Sequence, residues 1–281
     1  MIDLHVHSTA SDGLLAPDAL VDRLASAGIT AFSLTDHDTV AGIAPAAEAA
    51  RRRGLEILAG IEITAVHEER DVHVLGYGID PGSAELNAFL ARQRAHRIDR
   101  ARQIVDRLRA LGAPVDVERQ LAEAAAGGVR VIGRPHLARA LVEAGHVASV
   151  QEAFETLLGR GRPAFVPRTG ASIADVVAII GRAGGLASLA HPGLTRCDAV
   201  IPALAASGLR ALEVWHGEHD EAMVARYLAL AERLGLLATG GSDFHGDDAG
   251  RPVRLGEVGI PPEHYSRLLE SLAAPHGATG R

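Results

Sequence analysis

Metal-ligating side chains stand where short apolar runs end, and that placement constrains this chain more than any other feature. The chain opens Ile2-Asp3-Leu4-His5-Val6-His7, and Asp12 follows in Ser11-Asp12-Gly13. A strand alternates its side chains with period two, so His5 and His7 share one face and Val6 the other. His37 follows the next apolar run in Thr35-Asp36-His37-Asp38, and Glu62 ends a third in Gly60-Ile61-Glu62. His73 lies in a fourth run, His191 follows a fifth, and Asp243 and His245 follow Leu236–Gly240. Imidazole and carboxylate are ordinary ligands of divalent first-row metal ions.

The runs alternate with helical patterns, the signature of βα units around a parallel sheet. Strands are expected at Ile2–His5, Ala31–Thr35, Glu56–Ile61, Asp71–Tyr77, Leu186–Ala190, Ala211–Trp215 and Leu236–Gly240, with Val258–Ile260 as an added edge. Helices fit Pro17–Ala27, Gly42–Arg53, Ile173–Arg182, Val200–Ser207 and Asp220–Leu234, with proline near a start or glycine past the end. In a parallel barrel all strand C-terminal ends meet on one face, so ligand-type residues far apart in sequence converge there. Between about 81 and 162 the rhythm breaks into helices alone: Ala84–Leu111, Asp116–Ala126, Pro135–Ala144 and Val150–Leu158. This block reads as a helical cap (81–162) inserted between two parts of a barrel (1–80 and 163–281).

Net charge is −7, so no global basic field exists to hold long duplex nucleic acid. All 28 basic residues are arginine, so any bound anion meets forked guanidiniums. A single cysteine, Cys197, excludes an internal disulfide and a cysteine-rich zinc module. No basic-then-apolar leader and no apolar run of membrane-spanning length is visible, so a soluble, cytoplasmic protein without a membrane partner is expected. His67, His96, His146, His219, His264 and His276 sit among charged neighbours and read as solvated. His216 ends a strand and is either structural or turned toward substrate.

The motifs His5-Val-His7-Ser8, Ser11-Asp12-Gly13, Thr35-Asp36-His37-Asp38, Gly60-Ile-Glu62, His73-Val-Leu-Gly76, Ala190-His191-Pro192 and Ser242-Asp243-Phe-His245 resemble, in order, those of the PHP (polymerase and histidinol phosphatase) family. The resemblance implies an α/β fold, a distorted seven-stranded TIM-like β/α barrel, with up to three divalent ions. By that likeness His5, His7, Glu62 and Asp243 surround one ion, Glu62, His73 and His191 a second, and Asp12, His37 and His245 a third. Manganese is the first expectation, with iron or zinc as alternatives. Adjacent dications supply hydroxide from a bridging water at neutral pH, so no nucleophilic Ser or Cys is needed. Glu62, Asp243 and His191 form the expected catalytic centre, with His216 or a metal-bound water as general acid. Asp36 and Asp38 are expected to orient His37 or its neighbours.

Substrate contacts are expected from the cap. Gly133-Arg134-Pro135-His136 opens a helix whose free backbone N–H groups, beside Arg134, make an anion site. Arg160-Gly161-Arg162 leads back toward the barrel, and Arg134, His136, Arg160 and Arg162 are the expected substrate-binding residues. The arginines between Arg92 and Arg109 read as a surface coat diluted by Asp99 and Asp106. These segments resemble the PHP subgroup that removes the 3′-phosphate from 3′,5′-nucleoside bisphosphates or trims short RNA from its 5′ end. A histidinol-phosphate phosphatase fits the arginine-bearing insertion less well, and a non-catalytic metal-binding module fits a complete ligand set less well. The oligomeric state is not legible.

Overall fold

The protein, seen as a computed structural model, is described over residues 1–68, 70–125, 132–195, 197–247 and 255–274. Seven strands hydrogen-bond in sequence order: β1 (Ile2–Val6), β2 (Ala31–Leu34), β3 (Glu56–His67), β4 (Arg70–Tyr77), β5 (Leu186–Leu189), β6 (Ala211–His216) and β7 (Leu237–Gly241). The sheet curls until its two ends almost meet. The segment after β7 lies beside β1, where Val6 bridges Phe244, His7 N–H donates to the Phe244 carbonyl at 2.9 Å and Asp243 N–H to that of His5 at 2.8 Å. Gly241 is required at this seam, because a Cβ there would stand 2.3 Å from the His5 nitrogen.

The sheet is not wholly parallel as the sequence rhythm suggests. β4 runs antiparallel to both β3 and β5, with Glu62 opposite Leu75 and Thr64 opposite His73. The cause is the connection. His67 ends β3 and Arg70 starts β4, leaving no room for the crossover of a dozen residues that parallel pairing needs. The reversal places the start of β4 at the barrel mouth, so His73 reaches the same face as the ends of β1 and β2. Val258–Ile260 is not a strand; Ile260 N–H makes one bond to the Ile2 carbonyl at 3.0 Å.

Helices α1 (Pro17–Ser26), α2 (Ile43–Arg53), α7 (Ile173–Arg182), α9 (Ile201–Ala206) and α10 (Glu221–Leu234) cover the barrel where their apolar stripes require it. A short helix α8 (Pro192–Thr195) follows β5. Helix α11 (Pro262–Ala273), absent from the sequence expectation, packs Tyr265 and Leu268 against Leu4, Leu75 and Tyr77. The inserted block contains α3 (Ala84–Ala110), α4 (Glu118–Ala125), α5 (Arg134–Glu143) and α6 (Val150–Ala153), continued by a π turn over Phe154–Leu158. Residue 126, the expected end of α4, is outside the described residues. The block has its own core, including Ile104, Leu108, Leu121, Leu137, Leu141 and Leu158. That core reaches Ala164 and Val166, whereas Leu86 and Leu90 of α3 join the barrel core. The packing boundary therefore falls inside α3 and beyond residue 162.

Candidate metal centre

The barrel interior is polar where most barrel cores are apolar. Asp3, His5, His7, Glu62, Glu213 and Thr239 are all fully buried. Strand ends fix the residues: His5 and His7 close β1, Glu62 lies on the long β3, His73 on β4, and His191, Asp243 and His245 follow β5 and β7. Glu62 is the hub. Its Oε2 lies 3.3 Å from His5 Nε2, 3.2 Å from His7 Nε2 and 3.1 Å from His37 Nδ1, while Oε1 lies 2.8 Å from His73 Nδ1 and 3.3 Å from His191 Nε2. Asp243 Oδ1 stands 3.1 Å from His7 Nε2, and Asp12 Oδ1 3.2 Å from His245 Nε2.

Among the described residues, three sets of candidate ligand atoms each fit within 4.8 Å: His5, His7, Glu62 and Asp243; His7, Asp12, His37 and His245; and His37, Glu62 and His73. His37 thus joins Glu62 and His73 where the resemblance placed His191, though His191 still touches Glu62. Both ring nitrogens of His7, His37 Nδ1, His191 Nδ1, His245 Nε2 and Asp12 Oδ1 are buried without a hydrogen-bond partner. Orphaned buried polar atoms are costly, and cations shared among these rings and carboxylates would satisfy them. The donor set fits divalent metal ions.

Electrostatics agree. Burial by itself raises a carboxyl, yet His37, His73 and His5 hold Glu62 well below the usual carboxylate range. Asp12 and Asp243 are likewise held low, against burial, by the surrounding imidazoles. Burial pushes His37 down to about 3 and lowers His191, so both are neutral and have lone pairs to offer. His7 is buried too, but the negative carboxylates of Asp243 and Glu62 beside its ring raise it to about 9.

Outside the ligand atoms the loops are braced by charged groups. Asp36 does not reach His37; it accepts from Ser8 N–H at 2.8 Å and from the Ser8 and Ser11 hydroxyls, each at 2.7 Å, tying the loop after β2 to the loop after β1. Asp38 accepts from Thr64 N–H at 2.9 Å and pairs with Arg97 and Arg168. Of the four non-glycine residues with positive φ among the described residues, Asp38 (51°), His191 (28°) and Asp243 (54°) belong to this site. Strained backbone of this kind persists only where surrounding bonds hold it.

His216 is buried, with Nδ1 accepting from Glu218 N–H at 3.1 Å and Nε2 standing 3.5 Å from Asp243 Oδ2. The neutral ring therefore carries its proton on Nε2 and presents it to Asp243. His219, read from sequence as solvated, is half-buried: Nδ1 donates to the Val214 carbonyl at 2.8 Å and Nε2 accepts from Gly193 N–H at 3.3 Å. His96 and His146 are exposed, and His264 packs its ring on Trp215. His276 lies outside the described residues.

Beside the ligand cluster a cavity of about 230 Å³ opens between barrel and cap. Asp12, His37 and His73 form its floor, Arg97, Arg100, Arg134 and Arg168 its charged wall, and Ala101, Ile104, Ile132, Leu137 and Phe154 its apolar wall. Arg134, at the start of α5, stands over the rings of Phe154 and Phe165, with ring centres 5.9 and 5.8 Å from its guanidinium carbon. Asp71 Oδ2 lies 3.3 Å from Arg134 and 3.7 Å from Arg168. Burial and the neighbouring Arg97 lower Arg168 to about 10. Four guanidiniums face two carboxylates, which leaves the wall cationic. His136 lines a smaller adjoining space with Asp12 and Arg97, whereas Arg160 and Arg162 are exposed and line neither.

A PHP domain matches residues 3–109. The chain is 38% identical to the 3′,5′-nucleoside bisphosphate phosphatase of Chromobacterium violaceum over 93% of each sequence. It is 37% identical to the 5′-3′ exoribonuclease Rnm of Escherichia coli, covering 86% of this chain and 84% of that one. A solved Bifidobacterium adolescentis structure, described as a metal-dependent phosphoesterase, superposes with a TM-score of 0.85 at 35% identity, over 98% of this chain and 97% of that one. The chain belongs to the PHP family of metal-dependent phosphoesterases.

Proposed function

We propose that this protein is a phosphomonoesterase that removes the 3′-phosphate of 3′,5′-nucleoside bisphosphates. The observation that carries the reading is the cationic cavity set directly against the ligand cluster. A substrate with two phosphates needs one bound at the metals and another gripped elsewhere. Support also comes from the likeness to the Chromobacterium enzyme over nearly the whole chain.

His5, His7, Asp12, His37, Glu62, His73, His191, Asp243 and His245 would hold the ions, three in number on this reading, with manganese the leading candidate. When bound, such ions lower the pKa of a coordinated water and neutralise charge on the phosphoryl group. The rest falls to the chain. Glu62 offers an oxygen to each side of the cluster. His216 keeps one oxygen of Asp243 occupied and leaves the other facing His5 and His7. Arg134 and Arg168 take the second phosphate, while Ile104 and Phe154 supply an apolar surface for the nucleoside. A short RNA with a 5′-phosphate could present the same two groups, and the Escherichia coli relative favours testing it.

The test is a phosphate-release screen in manganese across 3′,5′-bisphosphates, mononucleotides, histidinol phosphate, p-nitrophenyl phosphate and short RNAs. The reading expects 3′,5′-bisphosphates to be turned over with the highest kcat/KM and a chelator to abolish all turnover. Preference for histidinol phosphate, or no hydrolysis of any ester, would overturn it.

A further inference from the structure

We propose that Glu213 is a positioning residue for the metal centre, fixing the tautomer of His5 and anchoring the backbone of His191 with one carboxylate. The inference rests on the reading that His5 and His191 are ligands. Glu213 lies in β6 with a side chain fully sealed from solvent. Its Oε1 stands 2.8 Å from His5 Nδ1, and its Oε2 accepts His191 N–H at 2.7 Å.

An ionised carboxylate only accepts hydrogen bonds, so the proton of this contact resides on His5 Nδ1. In the neutral ring the lone pair is then on Nε2. That atom lies 3.3 Å from Glu62 Oε2 and 3.4 Å from Asp243 Oδ1, within the set that could hold one cation. The second oxygen works on the chain rather than on a ring. His191 has φ of +28°, a conformation that a side chain rarely adopts, and its amide is held by Glu213. One buried side chain thus governs two residues whose neighbouring rings meet different oxygens of Glu62, His5 from β1 and His191 from the loop after β5. The strand alternation fits. Glu213 points inward, and Val214 after it packs in the apolar layer outside the sheet.

Glu213→Gln is the discriminating change, because an amide has one acceptor oxygen for two donors and turns its NH₂ toward the other. Zinc affinity, read by competition with a fluorescent chelator, should fall about 10- to 100-fold while the thermal transition shows a folded protein. In the zinc-loaded parent, nitrogen-15 histidine spectra should show a His5 Nδ1–H proton shifted far downfield by its carboxylate partner, and that signal should move upfield in the variant. Zinc affinity within twofold of the parent, or a parent spectrum lacking the His5 Nδ1–H proton, overturns the proposal; the second measurement needs no variant to fold. His5→Ala separates the two levels. If it loses zinc while Glu213→Gln does not, only the role of Glu213 fails. If His5→Ala keeps full zinc affinity, the ligand reading fails and this inference falls with it.

Discussion

The ligand cluster and the arginine cavity adjoin, share Asp12, His37 and His73, and are built in opposite ways. Apart from Asp12, which stands in the turn after β1, each candidate ligand sits on a strand or within a few residues of its end, where sheet hydrogen bonds dictate its position. The cavity wall comes from a long helix, a helix start and a returning segment, brought together only by cap packing. The cluster rests mainly on the sheet, with Asp36 and Glu213 tying its loops, whereas the cavity wall rests mainly on side-chain contacts through Asp38, Asp71 and the two phenylalanines beside Arg134. A rigid floor suits chemistry common to many phosphate esters, and a replaceable wall suits choice among them.

The contrast can be broken most forcefully at Glu62. Glu62→Ala removes the group that both halves of the cluster share and should lower turnover of every phosphate ester by about a thousandfold or more. Metal analysis should show ions lost as well, and a variant with full metal and activity would end the hub assignment. Asp38 is the joint between the regions, since it holds Thr64 of β3 together with Arg97 and Arg168. Asp38→Asn should raise KM for a 3′,5′-bisphosphate by about tenfold or more and leave kcat on p-nitrophenyl phosphate less affected. Equal loss on both substrates would make Asp38 part of the floor alone.

Arg134→Ala addresses the wall by itself. A charge-assisted hydrogen bond is worth about 1.5–3 kcal/mol, roughly tenfold to a hundredfold in binding. Catalytic efficiency on a bisphosphate should fall by that order and stay nearly intact on an aryl phosphate. Equal losses would move Arg134 to the scissile phosphate. The smallest effect is expected at Arg160→Ala and Arg162→Ala, both exposed, where stability should change by less than about 0.5 kcal/mol and rates should match the parent. A tenfold loss at either would mean that the cap closes further over the substrate.

The same contrast governs what the sequence reveals. His5 and His7 are legible because period-two alternation and a strand end say where both side chains go. Pro17, Gly54 and Gly235 mark helix ends for equally local reasons. Arg97 and Arg100 are not legible, because Asp99 beside them in sequence suggests a neutral surface. The helix separates them: Asp99 pairs outward with Arg102 at 3.7 Å, while Arg97 turns inward to Asp38. Arg168 lies on a segment with no regular structure, and Glu213 looks like one polar residue in an apolar strand until its partner 208 positions away is known. The reversal of β4 could have been seen from the short stretch between His67 and Arg70. Helix α11 has proline at its start and an apolar stripe, and that pattern was sufficient to place it.

The barrel seam carries a consequence for how the molecule comes into being. Asp3 accepts the amide of Ser242 across 239 positions of chain, and His5 and Asp243 flank that bond. The segment that flanks β1 on this side is synthesised about 239 positions after it, so β1 lacks that neighbour until the chain has passed β7. A nascent chain stopped before residue 241 lacks Asp243 and His245 and cannot assemble the full ligand cluster. If these residues hold the ions, the complete set of donors comes together only when the last strand has joined the first, and tight metal capture would mark the finished fold.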